Sequence, residues 1–160
     1  MPIVIDGHNL LHSIQKAGGG PEQISDVSLC RIINEYLKLT GERGEMVFDG
    51  TGPRDKSVFE NISNLEVFFA GLGTDADTVI EGKIKANTAP RRLTVVSSDR
   101  RVQSAARARK AIVVKALVFW NDLCKRLSRR EKTPKEPTAK REGLTESETE
   151  QWLKIFGLEK

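Results

Sequence analysis

The side chains best equipped for chemistry in this chain are acids in four short segments. They are Asp6 in Ile5-Asp6-Gly7-His8-Asn9, Asp49 in Phe48-Asp49-Gly50, Asp75, Asp77 and Glu81 after Thr74, and Asp99 in Ser97-Ser98-Asp99. Three of them close apolar runs: Asp6 after Ile3–Ile5, Asp49 after Met46–Phe48, and Asp99 just past Leu93–Val96. Glu81 follows Asp77 by one helical turn, so the two share a face. Gathered carboxylates repel one another and resist ionisation, and a divalent cation relieves that repulsion. An all-oxygen donor set with room for water suits Mg²⁺ or Mn²⁺ better than Zn²⁺. Next to a basic surface, such a metal points to phosphodiester hydrolysis. The amide of Asn9 and the hydroxyls of Ser97 and Ser98 are candidates to hold a metal-bound water or a phosphate oxygen.

Each acid also has a structural explanation. Asp6 and Asp99 sit where helix N-caps sit, Asp77 has capping-box-like spacing from Thr74, and Asp49-Gly50 reads as a turn. Taken singly these explanations suffice, but they leave unexplained why every acid falls at one edge. His8 and His12 have i,i+4 spacing without a third ligand and read as a satisfied or exposed pair.

What must position these acids is an alternation of short strands and helices. Strands are expected at Ile3–Ile5, Met46–Phe48, Glu66–Phe69, Leu93–Val96 and Ala111–Val114. A helix capped by Ser25 or Asp26 buries Leu29, Ile32, Ile33, Tyr36, Leu37 and Leu39 and ends at Gly41, after a loop at Gly18-Gly19-Gly20-Pro21. Further helices are expected from about Asp77 to Ala86, after Asp99, and from Phe119 to Leu127. Short apolar strands separated by helices imply a mainly parallel sheet covered on both faces, with right-handed crossovers. In such a sheet all strand carboxyl ends lie on one edge, which is where ligands bind.

A chain of 160 residues with 38% apolar content suits one domain, and its 6% aromatic share makes the core mostly aliphatic. No apolar stretch nears the roughly 20 residues that span a bilayer, and the N-terminus carries no secretory leader. Cys30 and Cys124 lie outside any CxxC pattern and read as free thiols, so a reducing cytoplasm is expected. The net charge is +4, yet from Arg91 to Arg130 only Asp99 and Asp122 oppose a long series of Arg and Lys. That stretch reads either as a surface for a polyanion or as a solvated basic face. Beyond Leu127, Ser128–Gly143 mixes basic residues with Pro134 and Pro137 and reads as a flexible linker. Thr145 and Glu148 then start a short helix whose Trp152, Leu153, Ile155 and Phe156 form an apolar face. That helix is expected to dock on its own domain, on a second protomer or on a partner. The division is thus a domain over 1–127, a basic linker over 128–143 and an amphipathic helix over 144–160.

Ile5-Asp6-Gly7-His8-Asn9-Leu10-Leu11, Val47-Phe48-Asp49-Gly50, Ala76-Asp77-Thr78-Val79-Ile80-Glu81 and Val95-Val96-Ser97-Ser98-Asp99-Arg100-Arg101-Val102-Gln103 together resemble the YacP-like type of NYN domain, within the PIN-like group of ribonucleases. The resemblance covers roughly residues 2–127. It implies a three-layer, Rossmann-like α/β fold with strand order 3-2-1-4-5 and a Mg²⁺- or Mn²⁺-dependent endoribonuclease. On that resemblance Asp6, Asp77 and Asp99 are the catalytic metal ligands, with Asn9, Asp49 and Glu81 in support. RNA is the implied partner, some bacterial members of the family act on messenger RNA in the context of the ribosome, and in this chain Arg100, Arg101 and Arg107 are the residues expected to meet RNA. His8 departs from the tyrosine common at its position. A non-catalytic RNA-binding module is the alternative. Phosphatase and receiver-domain readings fit less well, because Asp6-Gly7-His8 lacks their second acid, although Lys115 does follow the fifth strand.

Overall fold

In the computed structural model, residues 2–18, 24–59 and 62–132 are described. The β-branched run at the start forms β1 (Ile3–Asp6), followed without a loop by α1 (Gly7–Gly18) and then α2 (Asp26–Thr40). Next come β2 (Gly44–Phe48), β3 (Leu65–Phe69), α3 (Ala76–Ala86), β4 (Thr94–Val96), α4 (Arg100–Ala108), β5 (Ile112–Val114) and α5 (Ala116–Lys132). The five strands are ordered β3-β2-β1-β4-β5, and every neighbouring pair is parallel. β1 is therefore central, in register with β2 at Asp6↔Val47 and with β4 at Ile5↔Val96.

Side-chain alternation along β1 splits the interior in two. Ile3 and Ile5 face a core filled by Leu10, Ile14, Leu29, Ile33, Leu37 and Leu123 from α1, α2 and α5. Val4 faces the other core, filled by Ile80 and Ile84 of α3 and Val102 and Ala106 of α4. The result is a three-layer α/β domain. Ser25 caps α2 by accepting the Ser28 N–H at 3.1 Å, and Gly41 closes it in the left-handed conformation (φ 71°). At Gly7 the Phe48 ring approaches so closely that a β-carbon would collide with it, so glycine suits the direct turn of β1 into α1.

The last core helix is longer than its apolar pattern suggested. It begins at Ala116, whose N–H is held by Ser98, and continues past Leu127 to Lys132, taking in the first residues of the basic stretch. The loop residues Gly19–Pro21, the rest of the expected linker from 133, and the helix over 144–160 with Trp152 and Phe156 lie outside the described residues. No helix among the described residues is long and apolar enough to cross a membrane.

Candidate active site at the carboxyl edge of the sheet

β1 and β4 are neighbours, yet the helices that follow them leave on opposite faces, α1 over the first core and α4 over the second. A crevice opens where such connections diverge, and Asp6 stands in it. Alternation places it on the side of Val4, toward α3 and α4. Its side chain is buried, with the residue 5% exposed. One carboxylate oxygen accepts the Asn9 backbone N–H at 3.5 Å, and the other accepts the Ser97 hydroxyl at 3.3 Å. Both bonds favour the ionised form, but burial and the nearby charges of Asp77 and Asp49 outweigh them. The carboxyl is pushed up to about 7.

The polar neighbours fasten this crevice together. Ser97 is fully buried; its Oγ accepts the Asp99 N–H at 3.1 Å, and its carbonyl accepts from Gln103 Nε2 at 2.9 Å. Asn9 Oδ1 accepts the Ser98 N–H at 2.9 Å, and Ser98 Oγ in turn accepts the Ala116 N–H at 3.1 Å. Through these bonds the ends of β1 and β4 and the start of α5 are held around Asp6. Asp49 does the same for α3: its Oδ1 accepts the Ala76 N–H at 2.7 Å, while its own N–H donates to His8 Nδ1 at 3.2 Å.

Asp77 lies in the first turn of α3, and burial, then Asp99 and Asp75, raise its carboxyl above the ordinary range; Arg101 opposes them. It does not cap its helix. Asp75 does, accepting from Thr78 N at 2.8 Å and Thr78 Oγ1 at 2.6 Å. Asp99, in contrast, caps α4 through Oδ1, which accepts the N–H groups of Arg101 at 2.8 Å and Val102 at 3.3 Å. Its Oδ2 stays outside the cap. Glu81 accepts from Arg101 Nε at 3.0 Å and Nη2 at 2.6 Å, and the same guanidinium reaches Thr78 Oγ1 at 3.0 Å and Asp75 Oδ2 at 3.5 Å. Arg101 is thus committed to α3 rather than offered to a partner. Arg100 is exposed at the acidic edge, and Arg107 is exposed at the far end of α4.

The model of the YacP-like NYN domain family matches residues 3–156. The chain belongs to this family. The NYN domain is a PIN-like nuclease domain. Comparison with curated proteins returns no match. Among solved structures, Rae1 (YacP) from Bacillus subtilis is similar at 24% identity and a TM-score of 0.65, over 82% of this chain and 78% of that one. Its W164L mutant is similar at 22% identity and a TM-score of 0.59, over 98% and 92%. At these identities the likeness speaks for the fold.

Whether this NYN domain fits a divalent cation is tested by its donor set. Asp6 and Asp77 are both raised by burial first and by neighbouring acids second, and the Arg101 that tempers Asp77 is already bonded to Glu81. That excess of negative charge fits a hard cation. Among the described residues, however, no three His, Cys, Asp or Glu side chains come together closely enough to hold one. The two findings agree with Mg²⁺-type binding, in which one or two carboxylates, waters and substrate phosphates share the ion. What sequence reasoning missed here is the capping role of Asp75 and the part played by Gln103. Asp75 carried a signal, since Asp three residues before Thr78 is a cap-compatible pattern; Gln103 carried none, because its role depends on a carbonyl brought over by the fold.

Proposed function

We propose that this NYN domain is a Mg²⁺- or Mn²⁺-dependent endoribonuclease, with Asp6, Asp77 and Asp99 as its catalytic acids. The observation that carries the reading is the buried Asp6 carboxyl, raised to about 7 and facing the charge of Asp77 at the β1–β4 crevice. An aspartate serving only as a helix cap gains nothing from that burial, whereas a metal ligand does. A bound divalent cation would supply charge neutralisation at the phosphate and a water of lowered pKa. Of the chain's own residues, one or two of Asp6, Asp77 and Asp99 would hold the ion directly and the others would meet it through its waters. Asn9, Ser97 and Ser98 keep Asp6 in place, Asp49 sets the start of α3, and Glu81 anchors Arg101. RNA is the substrate on family grounds, with messenger or ribosome-associated RNA as the setting. Cytoplasmic action fits the two thiols, Cys30 and Cys124, which are buried and raised by that burial, so neither is a ready redox group.

Cleavage of labelled single-stranded RNA in Mn²⁺ or Mg²⁺ tests the reading. Wild type should cut, and Asp6→Asn or Asp77→Asn should lower the rate roughly a hundredfold or more. The non-catalytic alternative draws on the absence of a closed three-ligand group among the described residues. It would be the correct reading if wild type and Asp6→Asn bind RNA yet leave it equally uncut.

A further inference from the structure

Part of the basic stretch folds away from the acids. α3 and α4 start at the acidic edge, where Asp75 and Asp99 cap them, and they run down one face of the sheet. At about 1.5 Å per residue, helices of 11 and 9 residues carry their far ends roughly 13–17 Å away. There the chain exposes Lys85, Arg91, Arg92, Arg107 and Lys110. Among the described residues, none of these side chains makes a hydrogen bond or an ion pair.

Backbone bonds hold the segments side by side. Arg91 and Arg92 occupy a short helical turn just before β4, and Lys110 sits in the turn before β5. Ile112 N–H donates to the Leu93 carbonyl at 2.8 Å, joining those turns, and Arg109 Nη2 donates to the Asn87 carbonyl at 2.9 Å, joining the end of α3 to them. No Asp or Glu occurs in 82–98 or in 100–121. Glu45, at the start of β2, is paired with Lys83 of α3 at 2.8 Å.

Helix dipoles account for part of this. A cation near a helix C-terminus is stabilised by the exposed carbonyls, which explains Lys85 and Arg107. It does not explain Arg91 and Arg92, which precede a strand. Lys110 is the more telling residue. It ends α4 in a Schellman motif, with Ala111 N–H donating to the Ala106 carbonyl at 2.9 Å and its own N–H to Arg107 at 3.0 Å. Its φ of 64° is the left-handed position that glycine normally fills, and among the described residues it is the only non-glycine there. A lysine is held where it costs conformational free energy that glycine would not.

We propose that this basic pole, opposite the acidic edge, is a docking surface for the phosphate backbone of a base-paired RNA. Identifying the polyanion as RNA rests on the ribonuclease reading above. The surface has charge but no stacking platform: residues 82–118 contain no Phe, Trp or Tyr. Unpaired bases are bound by aromatic stacking, whereas duplex backbone is met by Arg and Lys alone. The pole would anchor a large RNA by its stem while single-stranded RNA enters the crevice at the other end.

The test uses the full chain, a fluorescein-labelled RNA hairpin and EDTA, with anisotropy read across a series of KCl concentrations. Arg91→Ala/Arg92→Ala/Lys110→Gly should weaken hairpin binding about tenfold and reduce the slope of log affinity against log salt by about two to three. Arg91→Gln/Arg92→Gln, which leaves the Lys110 turn intact, should show a smaller change of the same kind. Lys110→Gly alone should raise Tm while weakening binding, a combination a purely structural lysine would not give. Cleavage of a short single-stranded oligonucleotide in Mn²⁺ should keep its wild-type kcat/KM in all three. Unchanged hairpin affinity and salt slope would overturn the proposal, as would a wild type that ignores the hairpin or prefers vesicles containing phosphatidylserine. If hairpin binding responds as expected but wild type leaves the oligonucleotide uncut, the pole stands and the nuclease reading falls.

Discussion

Asp6 carries a charge problem that can be read as a function of pH. Its folded carboxyl lies at about 7 against an ordinary 3.8, so protonation favours the folded state. That contribution is complete below about 3.8 and is lost as pH rises to about 7, which sets the ionised form at a disadvantage of at most about 4 kcal/mol. Asp6→Asn keeps the shape and removes the titration. Its melting temperature relative to wild type should therefore climb between about pH 4 and pH 7 and level off above, as thermal denaturation in metal-free buffer would show. A flat difference across that range would mean that Asp6 is not held as described. A second test concerns Ser97, whose hydroxyl meets Asp6 while its carbonyl holds Gln103. Ser97→Ala should cost roughly 10- to 100-fold in cleavage or Mn²⁺ affinity, the range for groups that orient a metal ligand. The sequence made Asp6 and Asp99 legible as strand-end acids because a parallel sheet brings such ends together. It also offered Asp99 as a helix cap, which it is, but it did not show that Arg101 meets Glu81, twenty residues away. Pairings of that kind depend on how two helices lie against each other, which no local spacing encodes.

Between elements, the site depends on where α3 and α4 begin. Asp77 and Asp99 sit in the first turn and at the cap of those helices, but only Asp99 satisfies backbone donors. Replacing both in turn should separate chemistry from stability. Asp99→Ala should lose about 1 kcal/mol of stability along with activity. Asp77→Ala should lose activity and keep or raise the melting temperature, because it relieves repulsion and removes no cap. If the two variants destabilise equally, the assignment of caps is wrong. Arg101 ties the same helices from the side-chain end, and Arg101→Lys should not restore the cleavage lost in Arg101→Ala, since a lysine cannot reproduce the fork held by Glu81, Thr78 and Asp75. The strands were readable because each is a short run rich in apolar, mostly β-branched or aromatic, residues between turn formers, even where the edge strands β3 and β5 are only partly buried. Helix ends were less so. α5 begins at Ala116, three residues before the expected Phe119, and runs past Leu127 to Lys132, since a helix propagates through polar exposed positions once its buried face is docked.

Among the described residues, Asp6, Asp49, Asp75, Asp77, Glu81 and Asp99 gather at the carboxyl edge of the sheet, while Lys85, Arg91, Arg92, Arg107 and Lys110 gather at the far ends of α3 and α4. The acidic edge is electrostatically incomplete, and anything that completes it in the native state alone must stabilise the entire fold by linkage. A divalent cation present at a hundred times its dissociation constant would add about 2.7 kcal/mol, or roughly 5–11 °C in melting temperature for a domain of this size. The size of that effect should depend on pH in a defined sense. At pH 8 Asp6 is ionised and ready to bind, so Mn²⁺ should raise the wild-type melting temperature clearly. At pH 5 a proton already occupies the carboxyl, the cation must displace it, and the rise should shrink. Asp6→Asn should show little rise at either pH. A Mn²⁺ effect that is equal at pH 5 and pH 8, or that survives in Asp6→Asn, would place the ion elsewhere on the surface and remove the metal from the reading of this edge.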